Sequence, residues 1–375
     1  VRIVADEKIP YVKNYFSNYG EVILKPGREL KRADLLDADL LIVRSVTNVN
    51  QELLEGTPVK FVGSVVTGSD HIDTHWLDKM GIRWAAAVGS NAQAVVEYVI
   101  SVIAALQEME ILPNKKLRAG VIGAGRIGAE VIKMLQFLNF DVIQNDPIRA
   151  QNEKDFISTP LTEFHDLDLI SVHTPLTDEG PFPTKHLIKR DFFQHMKKNC
   201  VLINAARGAV TDFSDIKEYG ESLYWCFDVW ENEPCIDFQV LEESVIATPH
   251  IAGHSVQAKQ RGIDMIYRFA QEQKIISSHE SPRIEYPVRE IDFQNQTVSW
   301  RDVILRIYDP RKTTEQMKAE IIENENVETF DRLRNNFNER HEFGFVNIKS
   351  ARISEEDKIL LKHLGVQRGL QPRFL

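Results

Sequence analysis

The segment Gly123-Ala124-Gly125-Arg126-Ile127-Gly128 constrains this chain more than any other stretch. The apolar run at 118–123 leads into it as a strand, and 127–137 leaves it with the apolar spacing of a helix. In such a turn the first glycine permits the tight bend. The second lets the backbone come close to a pyrophosphate, and the third lets helix and strand pack closely. The helix start offers free amides and the positive end of a dipole to phosphate charge. Three glycines at this spacing also mark ordinary turns, but the flanking strand and helix give the dinucleotide-binding form. Asp146 follows the next strand, 141–145, where a carboxylate accepts the adenosine ribose hydroxyls and repels the additional phosphate of NADP. The expected cofactor is therefore NAD, with Arg149 nearby softening the exclusion of NADP.

The same alternation of short apolar runs and amphipathic stretches occupies most of the chain. Strands are expected at 1–6, 21–24, 39–44, 59–65 and 82–86, with helices at 11–19, 72–80 and 92–106, the last capped by Asn91. A second series follows the glycine loop, with strands at 169–173, 200–204, 224–227 and 245–248, and a helix at 256–272. Strands alternating with helices imply doubly wound parallel sheets. At 375 residues, the chain exceeds the size of a single hydrophobic core. After Ser281 the composition turns more polar, with 297–307 reading as extended and 343–348 as a later strand.

Three polar residues lie just beyond separate strands, where doubly wound folds place their ligands. Arg207 has the planar donors that grip a carboxylate. His250 can exchange a proton near neutral pH, and Glu233 can orient it and stabilise its charged form. Together they suit oxidation of a small hydroxy acid. Each also has a plainer reading: a loop tie for Arg207, a solvated carboxylate for Glu233, a satisfied buried histidine for His250. His71, His75, His165, His186 and His195 fall in helices or polar loops, and His173 at a strand end lacks an acidic partner. The sequence carries no HExxH or clustered Cys/His ligand set, so no metal is expected, and no G-x-S-x-G elbow for hydrolysis.

A formal net charge of −10 disfavours a nucleic-acid partner, although a local cluster can still attract a small anion. No apolar stretch reaches membrane-spanning length. The 3 cysteines, Cys200, Cys226 and Cys235, form no CxxC pair or disulfide framework and read as reduced cytosolic thiols.

The blocks GVIGAGRIG at 120–128, HTPLT at 173–177, NAARGAVTD at 204–212, DVWENEP at 228–234 and TPHIAG at 248–253 occur in this order. With them the chain resembles the D-isomer-specific 2-hydroxyacid dehydrogenase family. The resemblance implies that Arg207, Glu233 and His250 are catalytic. It further implies that Gly123, Gly125, Arg126, Ile127, Gly128, Asp146, Thr174, Asp228 and Gly253 bind NAD, with Asp228 on the nicotinamide side. Further passages resemble the branch of the family that oxidises 4-phospho-D-erythronate. They are VADEKIPY at 4–11, VRSVTNVN at 43–50, FVGSVVTGSDHID at 61–73, GSNAQAVVEYV at 89–99, HTPLTDEGPFPTKHL at 173–187, IYDPRK at 307–312 and FDRLRNNFNERHEF at 330–343. This narrower resemblance implies substrate binding by Arg44, Ser45, Thr67, Gly68, Arg207 and His254, the last standing where a tyrosine is familiar. Ala206 and Ser90 replace familiar cysteines.

The implied fold is α/β: a flavodoxin-like substrate domain at 1–90 completed by 255–280, a Rossmann NAD domain at 91–254, and an α+β C-terminal dimerisation domain at 281–375. The resemblance further implies a cytoplasmic homodimer working in pyridoxal 5'-phosphate biosynthesis. The rival readings are a D-3-phosphoglycerate or other D-2-hydroxyacid dehydrogenase, and a non-catalytic protein that responds to NAD.

Overall fold

The computed structural model describes residues 1–324, 327–337 and 340–366. Residues 367–375 of the expected C-terminal domain, and 338–339 of the 330–343 block, lie outside the described residues. The chain forms two compact units. One joins Val1–Gln93 to His254–Pro287; the other joins Ala94–Gly253 to the described residues from Val288 onward.

The first unit is built on a five-stranded sheet of β1 (Arg2–Asp6), β2 (Glu21–Lys25), β3 (Leu40–Val43), β4 (Phe61–Ser64) and β5 (Arg83–Ala86). Every pairing is parallel, in the order β2-β1-β3-β4-β5. Successive strand side chains point to opposite faces, so an apolar run serves two cores at once. Ile3, Ala5, Ile42 and Phe61 pack with Ile263, Ile266 and Tyr267 of the helix Val256–Glu272. Val4, Leu41, Val43 and Val62 pack with Leu53, Leu54 and Leu77 on the other face. The helix Val256–Glu272 starts where the Ser255 hydroxyl accepts the Ala258 N–H.

The second unit contains β6 (Leu117–Ile122), β7 (Phe140–Asn145), β8 (Leu169–Val172), β9 (Val201–Asn204), β10 (Tyr224–Phe227) and the two-residue β11 (Ile246–Ala247). They form a six-stranded parallel sheet in the order β11-β10-β9-β8-β6-β7. The order reverses at β6, so the crevice for a ligand opens at its C-terminal end. The glycine loop begins there.

The more polar C-terminal segment contributes to the cores of this unit. β12 (Arg289–Asp292) and β13 (Val346–Lys349) pair in parallel, and Ile291, Trp300, Val303, Ile304 and Phe343 join the core that holds Val99, Val121 and Ile251. Met317, Ile321 and Phe330 enter the opposite core with Phe227 and Val240. One expectation is corrected here. Residues 297–307 are not an extended run, because Trp300–Ile307 is a helix. Its β-branched composition reads as strand, but Trp300, Val303, Ile304 and Ile307 lie on one buried helical face, and Ser299 and Asp302 close a reciprocal capping box. The strand expected at 343–348 begins later, at Val346, after a 3-10 turn at Phe343–Phe345.

Candidate active site

The glycine loop uses its three glycines differently. Gly123 has φ of 87°, in the left-handed region, and a Cβ there would lie 2.8 Å from the backbone of His173. A Cβ on Gly128 would lie 1.8 Å from the Gly123 carbonyl oxygen, so that contact requires glycine. A Cβ on Gly125 would meet nothing within 4 Å. The space over Gly125 is open, and no side chain caps the helix Arg126–Phe137 that follows. The arrangement fits a phosphate-bearing ligand at the helix start.

Asp146 closes this loop from the end of β7. One carboxylate oxygen accepts the Ala124 N–H at 3.0 Å, and the other accepts the Arg149 N–H at 2.9 Å and caps the helix Pro147–Asn152. Arg149 pairs with Glu153, donates to the Ala124 carbonyl and stacks over Phe156. On the neighbouring strand exit, the buried His173 Nδ1 and Thr174 Oγ1 have no hydrogen-bond partner among the described residues. His173 Nε2 contacts the Ser171 hydroxyl at 2.8 Å, and burial pushes the imidazole pKa down to about 3, keeping it neutral. Two buried polar atoms awaiting partners beside the Gly123 turn fit a polar cofactor. His173 gains a place here that the sequence left open.

The exits of β9, β10 and β11 carry the titratable residues. Asn204, the last residue of β9, accepts the Ala206 N–H and donates to the Arg207 carbonyl, which fixes the start of the Arg207 loop. The Arg207 guanidinium donates to the Ala206 carbonyl at 2.8 Å. Beyond β10, Glu233 accepts the Trp230 N–H at 2.8 Å with one oxygen and contacts His250 Nδ1 at 2.7 Å with the other. Burial pushes the Glu233 carboxyl upward, but the charge and hydrogen bond of His250, with the Trp230 amide, outweigh it and hold the pKa below the ordinary value. With Nδ1–H donated to Glu233, His250 keeps Nε2 as its basic nitrogen. His250 itself has φ of 55°.

Asp228 secures that conformation. It is 1% exposed, and its carboxylate accepts the Thr248 hydroxyl at 2.6 Å and the N–H groups of Ile251 and Ala252 at 2.7 and 2.8 Å. Burial raises its pKa despite these bonds. Gly253 ends the segment so held. His186, set aside in the sequence, contacts Glu231 at 2.7 Å and Asp212 at 3.1 Å, tying the Arg207 loop to the Glu233 loop. Nothing in its local sequence marks it, because both carboxylates come from other loops.

In the first unit, Arg44, just past the end of β3, pairs with the buried Asp6 at 2.9 Å. Ser45 follows it, half-buried. The Thr67 hydroxyl donates to the Asn91 side chain at 2.6 Å, and Gly68 comes next in the chain. Half-buried His254 stands just before the cap of the helix Val256–Glu272. Among the described residues, no group of three or more His, Cys, Asp or Glu could hold a metal ion, and no helix is long and apolar enough to cross a membrane.

Residues 94–252 match the NAD-binding domain of D-isomer specific 2-hydroxyacid dehydrogenases, and residues 282–365 match a domain of unknown function, DUF3410. The chain is 42% identical over 350 residues to an erythronate-4-phosphate dehydrogenase of Coxiella burnetii, covering 93% of this chain and 95% of that one. A protein of the same name from Saccharophagus degradans is 37% identical over 360 residues, covering 94% and 95%. Among solved structures, D-lactate dehydrogenase from Aquifex aeolicus, complexed with NAD and lactic acid, shares the fold with a TM-score of 0.63. It is 23% identical and covers 73% of this chain and 96% of its own. The glycine loop within the matched NAD-binding domain, the Glu233–His250 pair and the near full-length likeness agree: the chain belongs to the erythronate-4-phosphate dehydrogenase family.

Proposed function

We propose that this chain oxidises 4-phospho-D-erythronate at C2, giving (R)-3-hydroxy-2-oxo-4-phosphonooxybutanoate, as a step of pyridoxal 5'-phosphate biosynthesis. The observation that carries the reading is the 2.7 Å contact between His250 Nδ1 and Glu233, in a chain so similar to proteins of that name. NAD, held at the glycine loop, Asp146, Thr174, Asp228 and Gly253, supplies the acceptor for the C2 hydride when bound. Arg207 grips the C1 carboxylate and polarises the oxygen at C2. His250 Nε2 removes the C2 hydroxyl proton, and Glu233 stabilises the imidazolium that results. In the reverse direction the imidazolium returns that proton. Arg44, Ser45, Thr67 and the amides around Gly68 recognise the phosphorylated end of the substrate, and His254 lines the substrate pocket.

Turnover should be compared with 4-phospho-D-erythronate, D-3-phosphoglycerate and unphosphorylated hydroxy acids. Selective reduction of NAD with the first supports the assignment. Preference for 3-phosphoglycerate moves the chain to that substrate, and NAD binding without turnover of any of them makes it a binding protein. Arg44→Ala should weaken phosphorylated substrates selectively; equal loss with unphosphorylated analogues removes the phosphate role.

A cytoplasmic homodimer assembled through the C-terminal segment belongs to the same reading. Cys200, Cys226 and the exposed Cys235 are free thiols, which suits a reducing compartment. Sedimentation of the full chain over a range of concentrations tests the dimer: a monomer throughout overturns it.

A further inference from the structure

The His250 segment is held from two directions. Asp228 takes the N–H groups of Ile251 and Ala252. The opposite hold comes from the C-terminal part of the chain. Arg340 is 3% exposed, and its Nη2 donates to the Ala252 carbonyl at 2.7 Å and to the Ala94 carbonyl at 2.8 Å. Both backbone groups of Ala252 are therefore bonded to buried ionisable side chains.

The same region braces the strand that leads into this segment. The Thr314 hydroxyl, 6% exposed, accepts the Ala247 N–H of β11 at 3.0 Å. Lys318 donates to the carbonyls of Glu242 and Ser244 just before β11. The Arg340 guanidinium lies over the Tyr308 ring at 5.0 Å, and Tyr308 packs against Tyr98. The Thr248 hydroxyl donates to Asp228 and so accepts from the Tyr98 hydroxyl at 2.7 Å. One path thus runs from Arg340 through two aromatic rings to the start of the His250 segment, and another runs directly to its end.

We infer that Arg340, seconded by Thr314, is a positioning residue for the oxidation, fixing the Thr248–Ala252 backbone so that His250 meets Glu233 and the substrate hydroxyl in register. This inference rests on the reading of His250 as the base. A left-handed φ at a non-glycine residue persists only where the surroundings over-determine it. Here the bonds come from the Asp228 carboxylate, from the Asp228 carbonyl that accepts the His250 N–H at 2.7 Å, from the Trp230 indole that donates to the Thr248 carbonyl at 2.9 Å, and from one arginine far away in sequence. An error of about 1 Å in the placement of a catalytic group costs on the order of 100-fold in rate. The region matched only as a domain of unknown function thereby acquires a part in the chemistry.

The test uses the full-length chain with 4-phospho-D-erythronate and NAD, and compares R340M, R340K, T314V and H250A. Loss of Arg340 in R340M should lower kcat by about 30- to 100-fold, with NADH affinity within about threefold of wild type. The kcat pH profile should also shift. R340K should recover about tenfold of that loss, since an ammonium can still donate to a carbonyl. A kcat per NADH-binding site equal to wild type in R340M, with only a lower melting temperature, overturns the inference and leaves Arg340 structural. Should R340M not fold, T314V carries the test: it keeps the side-chain shape, and a kcat reduced by about three- to tenfold at unchanged KM supports the inference, whereas an unchanged kcat overturns it. H250A separates the two claims. If it retains the chemical rate, the assignment of the base fails and the positioning role fails with it. If H250A is inactive while R340M is as fast as wild type, only the positioning role fails.

Discussion

The exit of β6 and the exits of β10 and β11 lie at the same edge of one sheet and are built by opposite means. At the first, side chains are withheld: Gly125 leaves open space, and Gly128 lets the helix touch the turn. The turn leaves its backbone and the following helix start open, with the buried His173 Nδ1 and Thr174 Oγ1 beside it, and His173 is kept neutral by burial. At the second, titratable side chains crowd together. Asp228 is buried and accepts two backbone N–H groups and the Thr248 hydroxyl, while Glu233 spends one oxygen on His250. Binding a dinucleotide asks for shape and a fixed dipole; moving a proton asks for groups whose charge can change.

His250→Ala is the sharpest way to break this division. The chemical rate should fall on the order of 10³-fold, while NADH affinity, to which His250 is not assigned, stays within about threefold. Stopped-flow NADH formation with a parallel fluorescence titration separates the two quantities. Equal loss of both would show that the exits are not independent.

Glu233→Gln should cost on the order of 100-fold in kcat. It should also change the acid side of the profile. The Glu233 carboxyl is held below its ordinary value of 4.5, so its contribution is fully present above that value and is lost only as pH falls through the lower, folded-state pKa. Wild type should therefore keep the Glu233–His250 contact at pH 4.5, and the glutamine variant should lose this acid dependence. An unaltered stability profile below pH 4.5 would disconnect Glu233 from His250.

Gly128→Ala probes the first exit. A methyl placed 1.8 Å from the Gly123 oxygen forces the helix away from the turn, at a cost of about 1–3 kcal/mol. NADH should bind about 10- to 100-fold more weakly, with the pH dependence of kcat at saturating NAD unmoved. Asp146→Ala has the smallest expected effect. It removes a helix cap and the Ala124 tie, worth about 1 kcal/mol, and should narrow the preference for NAD over NADP. Titration with both cofactors checks the last two, and an unchanged preference would assign Asp146 to the loop alone.

Local chemistry was legible wherever neighbours in sequence are neighbours in space. The glycine loop, the apolar strands and the strand-exit positions of Arg207, Glu233 and His250 all follow from short-range pattern. The sequence offered Glu233 as the carboxylate that orients His250, and the 2.7 Å contact follows because β10 and β11, which they leave, are adjacent in the sheet. Three features were hidden for three reasons. Residues 297–307 carry β-branched side chains, and only the capping box and the four-residue buried stripe decide for helix. His186 takes its carboxylates from distant loops. Arg340 belongs to the residue type least expected in a core, so the polar composition after Ser281 concealed a segment that closes two of them.

The Thr314 contact has a consequence for the behaviour of the chain in concentrated solution. β11 is the last strand on its side of the sheet, and such a rim offers unsatisfied amides to any passing extended peptide. Here the Ala247 amide is already taken by a side chain from a helix, Pro310–Asn324, that packs along β11. A hydroxyl cannot propagate a ladder as a strand does, so the rim ends in a chemically dead position. Thr314→Val would leave the Ala247 amide unsatisfied beneath the same helix, and a lower melting temperature is the expected symptom.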